Sequence, residues 1–114
     1  MVIYNHFLLL LSLSPLLDSA QTKKRPALVV STANFQKMTE HVSLLMVTSA
    51  KQSHWYGDHK ISDLVQTGLS VASIIRQKLF TLDLRLIRNT IGTLCEKDKL
   101  AVLTILRKQL ALNP

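Results

Sequence analysis

Apolar runs with little alternation dominate the first half of the chain. Phe7–Leu13 is almost continuously apolar, Pro26–Ser31 carries Leu28, Val29 and Val30, and His41–Thr48 reads "HVSLLMVT". Short apolar runs bounded by turn residues suit strands covered on both faces. Pro15 ends the first run, "LLDSAQTKK" reads as a polar loop, and Pro26 stands at the first position of a strand, where a missing N–H costs little. A long polar loop, "SAKQSHWYGDHK", follows the third strand. Beyond it the pattern predicts a short helix within Ile61–Leu69 and two short strands, "SVASIIR" and "KLFTL". A helical turn or two over Asp83–Thr90, with Asp83 as its cap, and a break at Gly92 complete this stretch. From Glu96 to Leu110 the period changes. Leu100, Leu103, Leu106 and Leu110 recur at helical spacing, and Val102 and Ile105 widen the stripe to what a helix packed on a sheet needs. Strands first and a closing helix predict an α+β fold, a small and mostly antiparallel β-barrel with a C-terminal helix.

Length turns this pattern into one domain spanning 1–114, with room for a modest core. Composition adds a bias: 14 Lys and Arg against 7 Asp and Glu leave a formal charge of +7. That balance favours an anionic partner, whether nucleic acid, an acidic protein or a membrane surface. The single cysteine, Cys95, excludes an intramolecular disulfide and a thiolate cluster. It stands where a helix cap is expected and has no histidine as a near sequence neighbour, so it reads as a small helix-start residue. No His, Cys or acidic pair has metal-ligand spacing, and no glycine-rich phosphate loop is present. The amino terminus admits two readings. Residues 1–20 have the outline of a secretory signal, but the leading residues lack Lys and Arg, and Asp18 is a poor residue before a cleavage point at Ala20. The alternative is a buried first strand.

The densest positive charge lies in "KKRPALVVS", residues 23–31, directly against a strand. That motif, a strand ending in "MVTS", and then "WYGDHKIS", "GLSVASIIR", "KLFTLD" and "IGTL" follow one another in the order and spacing of the MazF/PemK family, which the chain resembles from about Pro15 to Leu110. The resemblance implies an SH3-like barrel with a long C-terminal helix. It also implies a cytoplasmic, homodimeric toxin of a type II toxin–antitoxin system, an endoribonuclease that cuts single-stranded RNA without a metal or other cofactor. Cutting would leave a 2′,3′-cyclic phosphate and a 5′-hydroxyl. The implied partners are the RNA, an acidic antitoxin and, only through the antitoxin complex, DNA; no membrane is implied. The start departs from the family: residues 1–17 read as an atypical first strand, either degenerate or ordinarily diverged, and cleavage near Ala20 would delete that strand.

The resemblance also assigns residues. Arg25 corresponds to the family's catalytic arginine and Thr48 to its second catalytic residue. An arginine fork matches two phosphate oxygens but is a poor proton donor, and a threonine hydroxyl orients without acting as a strong base. Ser49 is a weaker candidate for the contact Thr48 would make, and His59 is a candidate proton shuttle. Lys23, Lys24, Ser73, Arg76 and Lys78 are the expected RNA-binding residues, and Trp55 is either a base-stacking residue or a loop anchor. The rivals are a catalytically degenerate RNA- or antitoxin-binding relative and a small secreted basic protein.

Overall fold

The computed structural model describes residues 9–13, 25–51 and 54–113. Lys23, Lys24 and the Pro15 loop lie outside them. The strands are β1 (Leu9–Leu13), β2 (Arg25–Val29), β3 (His41–Ser49), β4 (His59–Lys60), β5 (Ser73–Asp83) and β6 (Ile87–Thr93), with helices α1 (Ala33–Thr39) and α2 (Glu96–Gln109). They form a six-stranded sheet in the order β4-β5-β3-β2-β1-β6. All of its pairings are antiparallel. Residues 9–13 of the first apolar run are therefore a strand, held between β2 and β6. Among the described residues no ladder joins β6 back to β4. The loop after β4 reaches β6 instead, with the Thr93 amide donating to the Gln66 carbonyl at 2.9 Å and the Gln66 side chain donating to the Leu94 carbonyl at 2.7 Å.

The apolar runs are apolar because the central strands bury both faces. Leu28 and Val30 of the β2 segment, Leu45 and Val47 of β3, and Ile75 of β5 meet Leu94, Val102 and Leu106 beneath α2. The alternate residues Ala27, Val29, Val42 and Leu44 form a second core with Ile87, covered by Met46, Phe80 and Leu82. One row of side chains per strand thus belongs to the α2 side of the sheet and the other to the opposite side.

Four expectations are corrected. The Ile61–Leu69 stretch is not a helix but a chain of turns with Val65 pointing to solvent and Thr67 buried. Its apolar spacing reflects three separate anchors, Ile61, Leu64 and Leu69, against the α2-side core. The "SIIR" of the first and the whole of "KLFTL" belong to one long strand, β5, interrupted in register: Met46 pairs Arg76, yet Leu45 pairs Leu79, so Gln77 and Lys78 are extra residues on β5. Asp83 does cap a turn, accepting from the Arg85 amide at 2.8 Å, but the turn is a 3₁₀ piece of three residues, Leu84–Leu86, and the chain continues as β6. Gly92 does not break the chain. It lies inside β6 where the Thr67 backbone passes so close that a Cβ would stand 2.4 Å from the Thr67 carbonyl carbon. The pattern also missed α1, a seven-residue helix capped by the Thr32 hydroxyl.

Candidate active site and its flanking cavity

The β2–β3 register decides the neighbourhood of Arg25. Ala27 pairs Met46, Leu28 pairs Leu45 and Val29 pairs Leu44. Carried two residues further along both strands, the same register sets Arg25 opposite Thr48. Both residues alternate with the α2-side core, so both project from the other side of the sheet. Thr48 pairs Ile74 on its other flank, and Ile74 pairs Lys60 of β4. The row that crosses four strands therefore reads Lys60, Ile74, Thr48, Arg25, with a cation at each end and the hydroxyl next to Arg25. Arg25 and Lys60 are exposed and Thr48 is half-buried, as a row at the sheet rim requires.

Ser49 and Ser73 stand opposite one another one residue further along, on the α2 side. Ser73 is buried, and its hydroxyl donates to the Val71 carbonyl at 2.8 Å. The extended register thus sets Arg25 and Thr48 on one side of the sheet and Ser73 on the other. Lys60, which no sequence signal singled out, joins the row through a two-residue strand whose pairing is long-range.

His59 is the neighbour of Lys60 and so faces the opposite way, toward α2. Its Nε2 lies 2.8 Å from Oδ1 of Asp98, a fully buried carboxylate in the first turn of α2. The Ser62 amide donates to both Asp98 oxygens at 3.0 and 3.1 Å, and the Cys95 thiol donates to Oδ2 at 3.2 Å. Burial pushes the Asp98 carboxyl up, but the His59 ring, the Ser62 amide and the Cys95 thiol outweigh it and hold the group down at about 2. This junction ties α2 to β4. Cys95 is the helix N-cap, and its side chain serves Asp98 rather than a backbone amide.

Arg76 is expected to hold RNA, yet its fork closes on Asp58, with Nε 3.1 Å from Oδ1 and Nη2 2.8 Å from Oδ2. The pairing follows from the β4–β5 register extended by one residue. The Arg76 guanidinium holds the Asp58 carboxyl below the usual carboxylate range, against the opposing push of partial burial, and the Trp55 amide adds to it. Asp58 in turn fixes the loop before β4. Its Oδ2 accepts from the Trp55 amide at 3.1 Å, and its own amide donates to the Trp55 carbonyl at 3.0 Å. Gly57, at φ +86°, makes this turn where a side chain would press on Gln77 and Ile105. Lys78 lies over the Trp55 ring, 4.2 Å from its centroid. A cavity of about 650 Å³ opens between this turn, β5 and the end of α2. Among the described residues, no group of three or more His, Cys, Asp or Glu is gathered as metal ligands are.

Residues 8–110 match the family model of the PemK-like, MazF-like toxins of type II toxin–antitoxin systems. No curated protein sequence matches the chain. Among solved structures, a MazE–MazF complex from Deinococcus radiodurans aligns with a TM-score of 0.73 at 19% identity, covering 99% of this chain and 100% of that one. An endoribonuclease in complex with its cognate antitoxin, from a mycobacterial species, aligns with a TM-score of 0.72 at 14% identity, covering 97% and 99%. MazF of Deinococcus radiodurans aligns with a TM-score of 0.70 at 21% identity, covering 98% and 100%. At these identities the alignments establish a shared fold.

Proposed function

The chain belongs to the PemK-like, MazF-like toxins of type II toxin–antitoxin systems, and from that premise we propose that it is a metal-independent endoribonuclease acting on single-stranded RNA through Arg25 and Thr48. The observation that carries the reading is the β2–β3 register, which continued two residues sets Arg25 opposite Thr48 on one side of the sheet, with Lys60 on the same side across Ile74. In the reaction a 2′-oxygen attacks the adjacent phosphorus and gives up its proton. The 5′-oxygen leaves and takes one up, and the ends are a 2′,3′-cyclic phosphate and a 5′-hydroxyl. The Arg25 fork meets two non-bridging oxygens and stabilises the charge that grows on them in the transition state. The Thr48 hydroxyl orients the 2′-hydroxyl or bonds one of those oxygens. Lys60 draws in the neighbouring phosphate without reading sequence.

The formal charge of +7 also suits an acidic antitoxin segment that competes for the same face. The Deinococcus structure is a MazE–MazF complex, and the mycobacterial one is an endoribonuclease with its cognate antitoxin. We extend this to a homodimer in the cytoplasm. No helix among the described residues is long and apolar enough to cross a membrane.

The test is end chemistry. Purified chain is incubated with a long single-stranded RNA and a chelator, and the new ends are mapped. Cyclic-phosphate ends that disappear with Arg25→Ala are expected. Undiminished cleavage by that variant would remove Arg25 from the site, and binding without cleavage by the parent chain would make it a catalytically degenerate relative.

A further inference from the structure

Asp98 grips the chain on both flanks of Lys60. Its Oδ1 lies 2.8 Å from Nε2 of His59, the residue before Lys60. Its two oxygens accept from the amide of Ser62, just past Lys60, at 3.0 and 3.1 Å. The Asp63 amide lies 3.4 Å from Oδ2, and the Cys95 thiol completes the set from the helix N-cap. The carboxylate is fully buried on the α2 side of the sheet. Lys60 belongs to the opposite side, where it is exposed and, among the described residues, makes no ion pair.

The strand that carries Lys60 has little hold of its own. β4 is two residues long, well below the usual strand length, and lies at the edge of the sheet with a neighbour on one flank only. That neighbour supplies the pairs of His59 with Ile75 and Lys60 with Ile74, and the Ile61 amide adds a bond of 3.0 Å to the Ser73 carbonyl. Thr48 stands across Ile74 from Lys60, two strand spacings or about 10 Å away. A shift of β4 against β5 therefore moves the ammonium relative to the Thr48 hydroxyl. Holding α2 to the sheet does not by itself call for a buried carboxylate, since apolar side chains of similar size do that as well. What the carboxylate adds is direction: four donors converge on two oxygens fixed to the first turn of α2.

We propose that the His59–Asp98 clamp is a positioning device for Lys60, holding β4 from the far side of the sheet so that the ammonium meets a phosphate of the RNA bound at Arg25 and Thr48. This rests on the reading of the chain as an RNA-cutting toxin. His59 is then a positioning residue that acts through Lys60, neither touching the RNA nor carrying a proton in the reaction. The helix reaches the phosphate side of the sheet through a carboxylate, an imidazole and the backbone of β4.

The test is RNA affinity as a function of salt. Fluorescence anisotropy is followed with a labelled single-stranded 2′-O-methyl oligonucleotide, which keeps the phosphates and lacks the attacking hydroxyl. One lost phosphate contact lowers the slope of log affinity against log salt by about 0.7, which is roughly fivefold in affinity at about 0.1 M salt. Lys60→Ala is expected to show that loss. His59→Leu removes the donor, and Asp98→Asn keeps the shape but loses an acceptor. Each is expected to lower the slope by at least about half as much, and either one combined with Lys60→Ala should bind within about twofold of Lys60→Ala alone. His59→Gln, whose amide nitrogen stands where Nε2 stood, is expected to recover the parent slope. Each variant is measured at a temperature where circular dichroism shows it folded. A clamp that only secures the fold would lower the melting temperature and leave the salt slope at the parent value. That result would overturn the proposal, as would losses that multiply with Lys60→Ala or an unaltered slope in Lys60→Ala itself. A parent chain that does not bind the oligonucleotide would overturn it together with the proposed function. Binding that depends on Lys60 and His59, with no cyclic-phosphate ends from unmodified RNA, would overturn the proposed reaction and leave the clamp's role standing.

Discussion

Replacing Asp98 tests whether the His59 junction holds α2 on the sheet. Its side chain has no exposed surface and accepts from the His59 ring, the Ser62 amide and the Cys95 thiol. The carboxyl is held at about 2 against an ordinary value of 3.8, a difference worth about 2 kcal/mol of stability at neutral pH. Asp98→Asn keeps the shape and loses the charge, so about 2 kcal/mol is the expected cost. Asp98→Ala also leaves a buried amide and ring without an acceptor, and about 3–5 kcal/mol is expected. With a urea slope of about 1–3 kcal/mol/M, the Asn variant should lose roughly 1 M in unfolding midpoint followed by far-UV circular dichroism. The pH dependence has a definite sign. A carboxyl held down in the folded state contributes fully above its unfolded value of 3.8 and loses that contribution as pH falls toward 2. The gap between the parent chain and Asp98→Asn should therefore be constant above about pH 5 and narrow as pH falls from 4 to 2. An Asp98→Ala chain within about 0.5 kcal/mol of the parent, or a gap that widens in acid, would refute the reasoning.

Arg76→Ala leaves the largely buried Asp58 carboxylate without its fork, and a loss of about 3 kcal/mol is expected. Hydrogen exchange at the Asp58 amide should accelerate in the same variant, since the turn it closes on Trp55 loses its anchor. Gly68→Ala puts a Cβ 2.0 Å from the Ile91 carbonyl oxygen at φ +75°, so a loss above about 2 kcal/mol and fast exchange at the Thr93 amide are expected by calorimetry and exchange.

Legibility of the fold followed burial. β2, β3 and α2 were readable because their apolar residues run or recur as the two-sided sheet and the one-sided helix demand. β6 was not, because "IRNTIGT" has only Ile87 buried and carries polar, exposed residues where a core strand would be apolar. α1 is too short for a periodic signal. β5 looked like two strands because the extra residues at Gln77 and Lys78 break its register, which only the partner strand reveals. The site divides the same way. Arg25 and Thr48 were named through a family resemblance, while their opposition across β2 and β3 is a matter of register. Lys60 and Asp98 carry no local signal at all, since one enters through a two-residue strand and the other through contacts 35 to 39 residues away.

The central claim is that Arg25 and Thr48 act on one phosphate from neighbouring strands. A double-mutant cycle tests it most directly, with cleavage of a defined RNA measured for the parent chain, Arg25→Ala, Thr48→Ala and the pair. Residues that act as a unit are strongly non-additive. We expect each single variant to lose at least about a hundredfold in rate, within the span seen when one group stabilising transition-state charge is removed, and the double variant to be little slower than Arg25→Ala. Independent, multiplicative losses, or a Thr48→Ala chain that cuts as fast as the parent, would contradict the account.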